Sequence, residues 1–360
     1  MGFDCAAYDF TSPDSKSTFF YCPNEGAAIF FTVIFGLSAI AHVTQAFYYG
    51  KKRLCWVISI GAIWETVAFG LRSAATQNPL SDGLGIPSSI LIYLSPLLIN
   101  AFAYMVLGRM VFYYTAEKKV FGVRAVRLTV IFVWLDIIAF FVQLVGATMT
   151  VPNTDPNASQ QDLIDSANRQ NLGFNIYKGG IAFQLFWIVV FSVLAWRFRM
   201  KAVMEKVRGV GVERESNWKH LLAVLYVTLA MIMIRIIYRL VEFSGGINST
   251  LTRHEAFFYV LEATPMVLAC ITWNLFHPGR YLIGPESEFP KLTRKEKKAL
   301  KAEKKAAKAE KKREKADDKA RNKQWKKETK LMVRSGGTSD TDLEMGNLEN
   351  VNLRNSTDHY

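Results

Sequence analysis

Seven apolar stretches, each of about twenty residues or a little more, leave this chain few ways to fold. They run Ala27 to Tyr49, Leu54 to Ala75, Ser89 to Tyr114, Leu128 to Val151, Gly179 to Phe198, Leu221 to Val241 and Phe257 to Phe276. At 1.5 Å per helical residue, about 20 residues cross a hydrocarbon core of about 30 Å. Inside that core the backbone finds no water, so each stretch must close its own hydrogen bonds as a helix. The expected fold is all-α: a polytopic membrane protein with seven transmembrane helices.

Composition matters chiefly for the charge. The formal net charge is +13, which spread over a fold would suggest a nucleic-acid partner. It is not spread: Lys291 to Lys330 holds 19 Lys/Arg against 7 Asp/Glu, and the rest of the chain is nearly neutral. No nucleic acid is expected. The basic run favours helix but has almost no apolar face. It reads as a solvated helix or coil against anionic inner-leaflet lipid, or equally as a topology and solubility signal.

Orientation follows from the loops. Those after segments one, three and five hold 14 Lys/Arg, whereas the N-terminal segment and the other three loops hold four (Lys16, Arg169, Lys178, Arg253). By the positive-inside rule the N-terminus is outside and the C-terminus cytoplasmic. The expected organisation is an extracellular segment over 1–26, the transmembrane domain over 27–284, a cytoplasmic polybasic segment over 285–335 and a disordered tail over 336–360. The sequons at Asn157 and Asn248 then fall in outer loops and could be glycosylated. Cys5 and Cys22 could pair if the first segment is extracellular; Cys55 and Cys270 lie in apolar stretches and read as packing residues.

Charge inside such segments is costly and must face protein or water. Arg235, Arg239 and Glu242 fall at i, i+4, i+7, and Glu255, Tyr259 and Glu262 repeat that spacing on the next segment. Glu65 and Arg72, like Asp136 and Gln143, are spaced by seven, and Gln184 lies in segment five. Glu65 and Asp136 come near mid-depth; the others lie in the outer half. Any one of these is explained as readily by an internal ion pair or a snorkelling side chain. Eight ionisable groups in one half of a small bundle suggest a wet cavity receiving a polar head, and the acidic excess suits an amphiphile with a cationic head. Pro96 and Pro265 fall inside helices, and Trp64, Trp134 and Trp187 read as packing.

The chain has no Gly-x-x-x-x-Gly-Lys-Ser/Thr, and its five histidines show no metal-hydrolase spacing. No cofactor, metal or enzymatic activity is expected.

These residues also carry a resemblance. ETVAFGLR from Glu65 to Arg72, SPLLINAFAYMVLGR from Ser95 to Arg109, DIIAFFVQLVG with Asp136, Gln143 and Gly146, and GGIAFQ with Gly180 and Gln184 match one pattern. Arg235, Arg239, Glu242, Gly246, Glu255, Tyr259 and the closing His277-Pro278-Gly279 complete it. Over roughly residues 20 to 285 the chain resembles the fungal lipid-translocating exporters, the resistance-to-aminocholesterol family. Three features depart from that pattern: Glu262 where Asp is expected, Ser95 where Ala is usual, and the long basic tail. The resemblance implies movement or release of amphiphiles such as sphingoid long-chain bases, phospholipids or sterol-like toxicants. It also implies resistance to them and a plasma-membrane or endomembrane location. A different class of protein fits the same topology: a seven-helix lipid sensor that regulates lipid asymmetry without transporting.

Overall fold

The computed structural model describes residues 17, 19, 21–80, 82–150, 159–209, 218–245, 249–289 and 294–334. Cys5, Asn157, Asn248 and the 336–360 tail lie outside them. The chain divides into two units, 1–289 and 290–360.

The first unit carries seven helices long and apolar enough to cross a membrane. Five are single rods: α1 (Glu25–Tyr48), α2 (Lys52–Gln77), α3 (Asp82–Tyr114), α4 (Ala125–Met149) and α6 (Trp218–Gly245). Asn24 caps α1, its side chain accepting from the Ala27 N–H at 2.9 Å. A two-residue hairpin, β1 (Lys119–Val120) with β2 (Val123–Arg124), joins α3 to α4.

Two spans differ from the sequence expectation. Helix α5 (Gln160–Val207) has 48 residues, so the stretch before Gly179, expected as loop, is helical from Gln160 onward. A capping box starts it, with Ser159 and Asp162 bonding each other's backbone N–H. The seventh span is interrupted. It comprises α7 (Thr250–Arg253), α8 (Glu255–Phe257), a π-helical turn over Phe258–Ala263, and α9 (Thr264–Leu275). Pro265 accounts for the interruption: it has no N–H to give, and its ring would clash with the carbonyl four residues back in a regular turn. The Thr264 hydroxyl donates instead to the Tyr259 carbonyl at 2.8 Å. Wide turns of this kind cluster at functional sites.

Around the bundle α1 packs on α2, α2 on α3, α3 on α4, α4 on α5, α5 on α6, α6 on α9, and α9 returns to α1. Helix α3 also touches α5, α6 and α9, placing it innermost. Phe102, Leu107, Met110, Phe191 and Trp273 are fully buried in the shared core. Cys55 and Cys270 are buried free thiols, as packing residues should be. Outward faces are apolar too: Phe30, Leu37, Ile40 and Phe47 on α1, and Ile138, Phe141 and Val145 on α4, are exposed, which only a lipid surround tolerates. Trp134 belongs to this outer face at 60% exposure rather than to the packing.

Helices α4 and α5 approach to backbone contact. A Cβ on Gly146 would lie 2.6 Å from the Tyr177 nitrogen, and one on Gly180 2.8 Å from the Gln143 side chain. Such small-residue seams let membrane helices pack without an aqueous driving force.

The second unit is α10 (Arg294–Arg334), a single exposed helix of 41 residues.

Candidate functional site

The polar residues gather toward one end of the bundle, the end that holds the start of α1 and the finish of α2. They form three groups rather than one lining.

The first group joins α6 to the π turn. Glu262, 1% exposed, receives two guanidiniums: Arg239 as a fork, Nε to Oε2 at 2.9 Å and Nη2 to Oε1 at 3.0 Å, and Arg235 at 2.7 Å. Arg239 reaches Glu242 at 3.1 Å and the Tyr93 hydroxyl at 3.2 Å, and stacks over the Tyr93 ring at 4.3 Å. Tyr238 donates to Glu242 at 2.9 Å. Glu65, buried at mid-length of α2, lies within electrostatic reach of Arg235, Glu262 and Arg239. Three carboxyl groups therefore face two guanidiniums.

Beside this group is a small cleft of about 20 Å³, room for about one water. Tyr93, Pro96 and Leu97 of α3, Phe140 and Gln143 of α4, Tyr177, Ile181 and Gln184 of α5, and Arg235, Ile236 and Arg239 of α6 line it. Gln143 Nε2 donates to Gln184 Oε1 at 3.1 Å across it. Of the residues singled out in the sequence, Gln143, Gln184, Arg235 and Arg239 are in this lining. Glu242 and Glu262 connect to it through the arginines they hold.

The second group closes the end of the bundle. Arg72 pairs with Glu255 at 3.0 Å, donates to the hydroxyls of Tyr21 at 2.7 Å and Tyr259 at 3.3 Å, and lies 4.2 Å over the Phe258 ring. The backbone N–H of Asn24 donates to Glu255 at 2.6 Å. Tyr259 stacks on Phe31 at 5.1 Å and meets Phe69 in a tilted contact at 6.3 Å. The equal spacing of Glu255, Tyr259 and Glu262 is thus divided: the first two serve Arg72 and the third serves α6. The wide turn between Phe258 and Ala263 separates their bearings. Cys22 beside this group is disulfide-bonded.

The third is Asp136, 2% exposed at mid-length of α4. Tyr104 and Asn100 both donate to its Oδ2, at 2.8 and 3.1 Å, while its Oδ1 has no partner among the described residues.

Six polar participants escaped the sequence reading: Tyr21, Tyr93, Tyr177, Tyr238, Asn100 and Tyr104. Asn100 and Tyr104 were detectable, being polar at i and i+4 on an otherwise apolar helix. Tyr93 and Tyr177 gave no such signal, since tyrosine is ordinary in membrane helices.

Residues 58–284 match the family described as RTA1 like protein. The chain is 39% identical over 284 residues to the probable lipid transporter atnI of Emericella nidulans, spanning 77% of this chain and 71% of that one. It is 31% identical over 292 residues to the lipid-translocating exporter-like protein RTA1 of Leptosphaeria maculans, spanning 76% of this chain but about half, 53%, of that one. To the sphingoid long-chain base transporter RSB1 of Saccharomyces cerevisiae it is 22% identical over 303 residues, spanning 74% and 75%. No solved structure matches. With seven apolar helices and a family match across six of them, the chain belongs to the RTA1-like family and is a multi-pass membrane protein.

Proposed function

We propose that this protein translocates amphiphilic lipids, sphingoid long-chain bases first among them, and that the cleft beside Arg235 and Arg239 admits the polar head. The observation that carries this is a small polar cleft beside a buried cluster with one carboxyl group more than it has guanidiniums. A cationic ammonium head can pair with that excess while Gln143, Gln184 and Tyr93 accept from its hydroxyls. The names of the relatives, a lipid transporter and a sphingoid base transporter, support the same class. Phospholipids and sterol-like toxic compounds are further candidate cargo, and resistance to them is the expected outcome in the cell.

On this reading the binding residues are Glu65, Gln143, Gln184, Arg235, Arg239, Glu242 and Glu262, with Arg72, Glu255 and Tyr259 closing the outer end and Asp136 marking the depth. The N-terminus is outside, the C-terminus faces the cytoplasm, and the plasma membrane is the site of action. Asn157 and Asn248 are then open to glycosylation, and Cys5 is the partner for Cys22. The basic helix α10 lies against anionic inner-leaflet lipid.

One observation favours a sensor instead. Beyond Glu65 and Asp136 the core closes with Phe102, Leu225, Ile58 and Trp273, all fully buried, so the cleft is a pocket in this conformation.

A fluorescent sphingoid base added to liposomes holding only the purified protein separates the two readings. Translocation predicts that part of the signal becomes protected from an external quencher, a protection abolished in the double variant Arg239→Gln/Glu262→Gln. Removing both takes one positive and one negative charge, but Arg235 loses Glu262 and Glu242 loses Arg239, so the unfolding temperature of the variant is measured beside its transport. Binding without movement would establish the sensor, and neither would overturn both.

A further inference from the structure

We propose that Arg109, Lys51 and the first turn of α2 form a binding site for a phosphate group, at the end of the bundle opposite the Arg72 cluster. The site is separate from the cleft: Arg109 lies twelve residues beyond Leu97 on α3, about 18 Å along the helix.

Arg109 is 5% exposed, and its Nε and Nη1 are buried without a partner among the described residues. A guanidinium withdrawn from water without an acceptor is strongly unfavourable, so the surroundings call for an anion. They do not supply enough negative charge themselves. Lys51 is 7% exposed, and its ammonium is held only by neutral oxygens, Ser287 Oγ at 2.7 Å and the Gly284 carbonyl at 3.1 Å. Burial holds that ammonium below the ordinary lysine range; Glu288 opposes the shift and Arg109 adds to it, which places Lys51 and Arg109 within electrostatic reach of each other. Arg53 is within reach of Arg109 as well. Lys51 and Arg53 thus both lie within electrostatic reach of Arg109, and against these three cations Glu288 brings one carboxylate.

Helix α2 adds to this. It is a 26-residue helix whose N-cap is Lys51, with no side-chain capping bond and no acid in its first turn. Leu54 and Cys55 donate to the Lys51 carbonyl, while the first two N–H groups, of Lys52 and Arg53, and the positive dipole end have no side-chain cap or acid beside them. Cys55 of that first turn is within electrostatic reach of Arg109, which brings the helix end to the guanidinium. The segment after the seventh span covers the site, with the Phe289 ring 5.8 Å from Arg109 and 5.2 Å from the Phe112 ring. An arginine fork, a lysine and a helix N-terminus are the donors that select a phosphate dianion. Such a group comes either on a lipid headgroup or as free phosphate. This inference does not depend on the transport reading.

The test uses the full-length protein in detergent, titrated separately with didecanoyl phosphatidic acid, didecanoyl glycerol and inorganic phosphate, with unfolding temperature and native mass as readouts. Phosphatidic acid raises the unfolding temperature and stays bound at one copy, and the glyceride does neither. Protection by the lipid at a tenfold lower concentration than by phosphate assigns the site to a headgroup; equal potency assigns it to free phosphate. Arg109→Gln lowers the affinity for phosphatidic acid about tenfold or more, the loss of one or two charge-assisted bonds. It also raises the unfolding temperature of the ligand-free protein, because an unpaired buried charge is gone. The basic tail is intact in both proteins, so its lipid binding cancels. If Arg109→Gln fails to fold, Lys51→Gln answers the same question with a smaller loss. Wild type indifferent to both phosphate probes, or variants that bind as tightly as wild type, overturns the proposal.

Discussion

The two ion-pair clusters use the same side chains, arginine, glutamate and tyrosine, yet differ in what they enclose. Around Arg72 aromatic rings and the Asn24 backbone occupy the space, so the charges seal one end of the bundle. Around Arg239 the carboxylates lie on one side and empty space on the other. A count of charges in a membrane segment therefore says little about a cavity. What decides is whether the groups around a cation close over it, as Tyr21, Phe258 and the Asn24 backbone do at Arg72, or leave a cleft beside it, as at Arg239.

The strongest way to break this comparison is Glu262→Gln, which strands Arg235 and Arg239 against a neutral amide. A loss of about 3–5 kcal/mol is expected, the usual result of removing one partner of a buried pair. Thermal unfolding in detergent would record it. Glu262→Asp keeps the charge and the fold, and any change in substrate preference then isolates reach from charge. An unchanged unfolding temperature in Glu262→Gln would mean the cluster is already hydrated.

Arg72→Gln should destabilise less, by about 2–3 kcal/mol, since Glu255 retains the Asn24 N–H. Its signature is local: faster hydrogen exchange around Tyr21 to Glu25, with sphingoid-base binding unchanged. Loss of binding without loss of protection would reverse the roles given to the two clusters. Smaller still in stability is Gln143→Ala, expected within about 1 kcal/mol of wild type because the amide is only half-buried. It should nevertheless weaken ligand binding several-fold, which Arg72→Gln does not do.

At the bottom of the scale is a surface pair. The Lys201 ammonium, 2.7 Å from Glu117, holds that carboxyl below the ordinary glutamate range. A depressed folded value gives stabilisation that is present above the unfolded value, about 4.3, and is lost as pH falls through the folded one. Lys201→Ala should therefore alter the unfolding temperature only slightly at neutral pH, and by less once Glu117 is protonated, leaving the share from the Lys119 carbonyl and Glu205.

The seven spans and nearly every buried charge were legible in the sequence, because hydrocarbon penalises polar groups so heavily that their positions stand out. What was not legible came from tertiary contact. Glu255 and Glu262 have one spacing but opposite partners, and only the wide turn ahead of Pro265 separates them. Tyr93 looks like any membrane tyrosine until α6 sets Arg239 against it. The stretch from Gln160 to Lys178 reads as loop because Gln161, Asp162, Asp165 and Arg169 leave no apolar stripe. Its start was nonetheless written in Ser159 and Asp162, a capping pair three residues apart.

The length of α5 sets the height of the molecule. Forty-eight residues make a rod of about 72 Å, more than twice the hydrocarbon thickness of about 30 Å. The rod therefore overshoots the bilayer: the turns from Gln160 to about Leu172, before Gly173 packs on α4, and those approaching Val207 extend beyond the hydrocarbon. The second end is moored to the α3–α4 hairpin, where Glu205 accepts the Ala116 N–H at 3.0 Å and Lys201 bonds the Lys119 carbonyl at 3.1 Å. The first end, around Leu163, Ile164 and Leu172, is a mast with bare apolar patches. An antibody fragment or fused tag grafted on that mast would report the tilt of α5 without touching the cleft.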